Sequence, residues 1–156
     1  VALFRNVKNA AELRKRLISQ DSSLTCALLE ASLILEPLHV LLAVNRAVAD
    51  EANQQLKSHN VYSEIVFGLS PATNIAQALR RFGINDETKN LMVVVLGGEP
   101  TEVEQYMRDT VHGDLVPLTE LDQLRDLPQI KKYYQLNSAD TDHLMPLVAS
   151  AMALKG

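Results

Sequence analysis

The sequence predicts an α+β fold: a small mixed β-sheet packed with several α-helices, forming one domain over residues 1–156. Three observations predict it. Short apolar runs are interspersed irregularly with segments of helical spacing, which favours one mixed sheet with helices laid against it. Apolar residues make up 47% and charged residues 22%, the balance of an ordinary globular chain. No internal repeat or low-complexity linker divides the 156 residues, a length that supports one core.

The elements follow in order along the chain. Val1-Ala2-Leu3-Phe4 is apolar and reads as a strand cut short at its start. Asn6 or Asn9 then suits the cap of a helix in which Leu13, Leu17 and Ile18 recur at helical spacing, with Arg14, Lys15 and Arg16 outward. Asp21-Ser22-Ser23 breaks it, and residues 24–29 read as a buried strand. Glu36-Pro37 opens a second helix reaching about Leu56, Pro37 taking a first-turn position. Its apolar set is Leu38, Leu41, Leu42, Val44 and Val48, and Ala43 and Ala47 allow close helix packing. Glu64 to Leu69 fits a helix or a strand, and the helical spacing of Ile65, Val66 and Leu69 favours the helix. Ser70-Pro71 then carries the pattern of a helix start, with Ser70 as cap, Ile75, Ala78, Leu79 and Phe82 inward, and Gly83 as the stop. Leu91 to Leu96 is an unbroken apolar run ended by Gly97-Gly98 and reads as a central strand. A helix over about Thr101–Val111, a short strand at Leu115-Val116, two short helices and a last helix over roughly Asp140–Leu154 complete the expectation.

Composition excludes several functions. No apolar run approaches the ~20 residues of a membrane helix. Val1 to Lys8 has no basic flank leading into a long apolar stretch, so no signal peptide is expected; without an initiator Met, the start stays open. The single Cys26 rules out an intrachain disulfide and reads as a buried small hydrophobe. The formal net charge is −4, yet residues 1–89 carry +1 and residues 90–156 carry −5. A protein that coats duplex nucleic acid is far more basic, so any RNA contact is local and lies in the first half.

Catalytic and metal patterns are absent from the chain. His39, His59, His112 and His143 lack companions at metal-site spacing. Gly97-Gly98-Glu99-Pro100 lacks the spacing and the Lys of a phosphate loop and reads as a turn. Ser70 lacks the flanks of a nucleophile elbow. Glu99, Glu102, Glu104 and Asp109 suit a solvated helix start. Lys131-Lys132-Tyr133-Tyr134 is the one basic-aromatic cluster, in keeping with an amphipathic short helix. The residues themselves therefore expect a binding module: no catalytic residue, no metal and no cofactor.

A family resemblance adds the rest. Phe4-Arg5-Asn6-Val7-Lys8-Asn9-Ala10 with Leu13-Arg14, then Glu36-Pro37-Leu38-His39-Val40-Leu41, resembles the TPRKB-type subunits of the KEOPS (EKC) complex. So do Ser63 to Pro71, followed by Asn74-Ile75, Ala78-Leu79 and Phe82-Gly83-Ile84, and later Ile130-Lys131-Lys132 with Tyr134 and Leu136. The resemblance implies a non-catalytic subunit of cytoplasm and nucleus. It would dock on the small atypical kinase PRPK, meet the other KEOPS subunits indirectly, and help hold tRNA by its single-stranded 3′ end for threonylcarbamoyl-adenosine modification. Two surfaces are then expected. Leu144, Leu147, Val148, Ala151 and Met152 form an apolar stripe on the last helix, suited to kinase docking or to the molecule's own core; the sequence leaves both open. An RNA patch is expected at the helix opened by Ser70, where Asn74 offers hydrogen bonds, Ile75 an apolar contact, and Arg46, Lys57, Arg80 and Arg81 charge. An adaptor that regulates the kinase without touching RNA is the alternative.

Overall fold

The computed structural model describes residues 1–136 and 144–155. Four short strands lie at its centre: β1 (Ala2–Arg5), β2 (Ala27–Glu30), β3 (Leu91–Val94) and β4 (Asp114–Val116), in the order β2-β3-β1-β4. Every pairing is antiparallel, with Phe4 opposite both Leu91 and Leu115, and Leu28 opposite Val93. The fold is α+β as expected, but the sheet expected to be mixed is antiparallel throughout. The crossovers explain this. Helix α1 (Ala10–Ile18) joins β1 to β2, and α5 (Pro100–Thr110) joins β3 to β4. Each crossover returns its strand in the same direction but one place too far, and a strand of the other half fills the gap. This is the split βαβ arrangement.

Successive strand residues point to opposite faces, and both faces are covered. Phe4, Leu28, Leu91 and Val93 pack beneath α1 and α5 through Leu13 and Met107. Leu3, Leu29, Met92 and Val94 face a thicker layer. That layer is built from α2 (Pro37–Ala52), α3 (Val61–Leu69), α4 (Ile75–Phe82), α6 (Leu121–Leu124), α7 (Leu127–Tyr133) and α8 (Leu144–Leu154). Two covered faces explain why Leu91 to Val94 is apolar at every position.

Several local expectations are corrected. Asn9 precedes α1, but its side chain donates to the Thr110 carbonyl and accepts from the His112 N–H, tying α1 to the end of α5 instead of capping it. Asn6, with φ 55°, bonds Asp114. Leu17 and Ile18 are exposed, leaving Leu13 as the inward leucine of α1. The Glu64–Leu69 segment is helical, and the helix starts earlier than its apolar run because Asn60 and Ser63 form a capping box. The next helix does not begin at Ser70-Pro71. Ser70 ends α3, its hydroxyl accepts from the Ala72 N–H, and α4 starts at Ile75 with Asn74 accepting from the Gln77 N–H. Both Asn and Ser fit an N-cap; the turn made by Ser70 and Pro71 uses up the first of them. Residues 140–143 of the expected last helix, His143 included, lie outside the described residues.

Candidate functional site

The apolar stripe of the last helix divides in two. Leu144, Val148 and Met152 are buried in the large core beside Val40, Ala43 and Ala47. For these three residues, where docking and core were both open, the structure gives core: the i, i+4, i+8 row is the one that faces inward against the sheet layer. Leu147 is 40% exposed and Ala151 half-buried, since the stripe is wider than the half of a helix its neighbours can cover.

Helix α2 packs through its alanines and turns part of its apolar set outward. Leu38, Leu41 and Val48 of its apolar set are 47%, 46% and 43% exposed. His39, Val40, Ala43 and Ala47 are buried instead. The cause is close approach to α3: a Cβ on Gly68 would stand 3.5 Å from the Ala43 Cβ, so small residues must occupy the contact. At ~100° per residue, Leu38, Leu41 and Val48 share one face, turned away from the buried one. They form an outward apolar row, and Leu147 of the neighbouring α8 is exposed as well.

His39 is fully buried and fully bonded. Its Nδ1 accepts from the Leu35 N–H (3.2 Å) and its Nε2 lies 2.8 Å from the Tyr134 hydroxyl. The Tyr134 hydroxyl donates to the Leu69 carbonyl, so the ring Nε2–H must donate to Tyr134. Burial pushes the His39 pKa down to about 4 and the Tyr134 pKa up, which keeps both neutral. With both ring nitrogens engaged, His39 pins α2, α3 and α7 together and has no lone pair left for catalysis or a metal. Among the described residues no group of His, Cys, Asp and Glu is arranged to hold a metal ion, and no helix is long and apolar enough to cross a membrane.

The residues expected to meet RNA fall into three places. Arg46 and Lys57 do come together, in a narrow cleft with Glu64, Phe67 and Lys155. Its free volume is about 10 Å³, room for one water. Lys155 fills it: its ammonium sits 3.9 Å from the centre of the Phe67 ring and donates to the Phe67 carbonyl. Burial, with the nearby Arg46 and Lys57 charges, pushes Lys155 down to about 8. Glu64, itself buried, accepts from the Ser58 hydroxyl (2.6 Å) and from the Lys57 and Ser58 N–H groups, fixing the loop that carries Lys57. Arg46 donates to the Met152 carbonyl. Ser70 is buried and serves its turn, Asn74 caps α4, and Ile75 is half-buried. Arg80 and Arg81 lie at the other end of α4 and line a different groove.

The family model described as "Kinase binding protein CGI-121" matches residues 4–156. The chain belongs to that family. An Aspergillus terreus protein named EKC/KEOPS complex subunit cgi121 is 44% identical over 88% of this chain and 74% of its own length. The Schizosaccharomyces pombe protein of the same name is 34% identical over 100% and 92% of the two chains. A Danio rerio protein named EKC/KEOPS complex subunit TPRKB is 33% identical over 98% and 88%.

In this CGI-121 chain the sequence reading missed Phe67 and Lys155. Phe67 is buried, and only the fold sets the Lys155 ammonium over its ring. It also missed the outward row of α2, because leucine spacing alone cannot tell which face meets alanine and glycine.

Proposed function

We propose that this member of the CGI-121 family is a non-catalytic subunit of a KEOPS-type tRNA-modification complex, docking on a small protein kinase and contacting tRNA. The observation that carries the reading is the outward row Leu38, Leu41 and Val48 on α2, with Leu147 also exposed on α8, a helix that packs against α2. Such a grouping of large apolar side chains marks a partner surface, and an amphipathic helix face is a common docking element. The family description names kinase binding, and relatives of similar length are named as EKC/KEOPS subunits. The neutral, fully bonded His39 and the turn-bound hydroxyl of Ser70 support a role without bond-breaking chemistry.

RNA contact is supported by the cleft of Arg46, Lys57 and Lys155 over the Phe67 ring, which offers charge for phosphate and a face for an unstacked base. Because Lys155 now covers that ring, an entering base must displace it. The test is co-purification with the cognate kinase followed by capture of tRNA with and without its 3′ CCA. Leu41→Glu with Val48→Glu should abolish kinase capture while the melting curve stays put. Kinase capture by that folded variant would sink the docking face. The second reading, an adaptor that never touches RNA, is favoured by the −4 net charge and the closed cleft. It prevails if the kinase complex captures tRNA equally well with Arg46→Glu and Lys155→Glu.

A further inference from the structure

A second groove opens where the end of α4, the loop before β3 and α7 come together, with a volume of about 630 Å³. It shares no residue with the outward α2 row or with the Arg46–Lys155 cleft. Its cations are unusual for this chain. Arg5, Arg14, Arg16, Arg46, Arg108 and Arg125 each make an ion pair with a carboxylate. Arg80 and Arg81 make none among the described residues, and both line the groove, with Lys89. Arg81 instead lies over the Tyr133 ring, its guanidinium carbon 4.4 Å from the ring centre. Tyr133 is braced by the buried Phe82, the two ring centres 5.9 Å apart. Contact with the ring engages the guanidinium face. Its N–H groups point outward in the guanidinium plane and have no hydrogen-bond partner among the described residues. A carboxylate is the side-chain group whose two oxygens match that fork. The side-chain amides of Asn90 and Gln129 line the same groove and are likewise unbonded among the described residues. Each can donate and accept, which is what a peptide backbone asks of a neighbour. Glu30 and Glu87 line the groove too, and Glu30 is held by the Ser32 hydroxyl (3.1 Å) and the Thr88 hydroxyl (2.8 Å). Such carboxylates repel a chain that is charged at every unit and admit one that is charged at intervals.

The geometry points to a docking groove for an extended acidic segment of a partner protein: Arg81 takes one carboxylate edge-on, Arg80 and Lys89 take a second, and Asn90 and Gln129 meet the backbone. Tyr133 holds Arg81 in place before the segment arrives, so little side-chain freedom is lost on binding. Clustered arginines are a recurring means of reading acidic motifs. In an extended segment successive side chains point to opposite sides. Acidic residues at alternate positions therefore turn their carboxylates to the cations and leave backbone N–H groups for Glu30 and Glu87. This groove goes beyond the kinase docking and RNA contact proposed above, and each can fail without the other.

The test is fluorescence anisotropy of the full chain with a labelled peptide of alternating Glu and Ser, and with one of alternating Gln and Ser as the uncharged probe. The Glu peptide should bind and the Gln peptide should not. Arg81→Gln should weaken binding about tenfold, the scale of one hydrogen bond to a charged group. Arg81→Lys should weaken it nearly as much, since an ammonium keeps the charge but not the fork. Arg80→Glu with Arg81→Glu should abolish binding of the Glu peptide and confer binding of a peptide of alternating Lys and Ser. Melting curves show whether each variant is folded. If the Arg81 variants fail to fold, Arg80→Gln with Lys89→Gln, both on exposed side chains, must give the same loss. An unaltered chain that ignores the Glu peptide overturns the groove, as does peptide binding that is indifferent to all of these substitutions. A labelled oligoadenylate that displaces the Glu peptide, and whose own binding is lost on Arg80→Gln with Arg81→Gln, overturns it in favour of nucleic acid. Kinase capture with Leu41→Glu and Val48→Glu reads the earlier proposal by itself, whichever way the peptide behaves.

Discussion

Acid should loosen this fold through one buried ring. His39 has a pKa of about 4 in the folded chain against an ordinary value of 6.5, because burial disfavours its charged form. Between those values the unfolded chain binds the proton and the folded chain does not. Stability from this group is therefore complete above 6.5 and falls as the pH drops towards 4. The full shift corresponds to about 3 kcal/mol, of which about 2 kcal/mol is lost between about pH 7 and about pH 5. The structure also says how the loss arises. A second proton can go only on Nδ1, which now accepts from the Leu35 N–H, so protonation sets two donors against each other in a buried site. The assay is urea unfolding followed by circular dichroism across that range, on the unaltered chain and on His39→Gln. The variant should be less stable at neutral pH by about 1–3 kcal/mol, the cost of disturbing a buried hydrogen-bonded group. The gap between the two proteins should shrink by about 2 kcal/mol on acidification at constant m-value. Parallel stability profiles for the two proteins would refute the account of His39 as a buried neutral link.

Other outcomes follow from the same packing. Val148→Glu buries an unpaired charge in the core and should unfold the chain, whereas Leu41→Glu, on the exposed face, should change stability by no more than about 0.5 kcal/mol; thermal melts of both check this. Gly68→Ala should be neutral or stabilising by up to about 1 kcal/mol, since its new methyl meets Ala43 at ordinary contact distance, while Gly68→Leu should destabilise by about 1–3 kcal/mol by prising α2 from α3. Asn60→Ala removes the capping box of α3 and should cost about 1 kcal/mol in urea unfolding. Cys26 is buried with its thiol pushed up to about 11, so alkylation by iodoacetamide near neutral pH should stay slow until the chain is unfolded.

What the sequence revealed was what local chemistry decides. The unbroken run from Leu91 marked a strand covered on both faces, and Ile65, Val66 and Leu69 marked a helix, because these patterns depend on neighbours a few residues away. Antiparallel pairing was hidden, since which strand fills the gap left by a crossover is settled by residues nearly a hundred positions apart. The facing of α2 was hidden for a related reason: Ala43 and Ala47 turn inward only because Gly68 arrives opposite them. Ser70 and Asn74 both fit the cap of α4, and the choice fell to a turn that Ser70 makes with Ala72. Arg46 and Lys57 do line one cleft, while Arg80 and Arg81 were drawn into the same patch by closeness in sequence to Asn74. They sit at the far end of α4, where the flagged Tyr133 meets them.

The pairing of β1 also governs how the protein can be made. Ala2 and Phe4 wait for Val93 and Leu91, and Arg5 waits for Asp114, so β1 has no strand neighbour until residues some ninety positions later have been made. Its Leu3 and Phe4 stay exposed to the solvent and to chaperones through that interval, and contacts of such long range form slowly. The sheet can begin to close only once β3 has been made, when it joins β2 to β1, and β4 completes it.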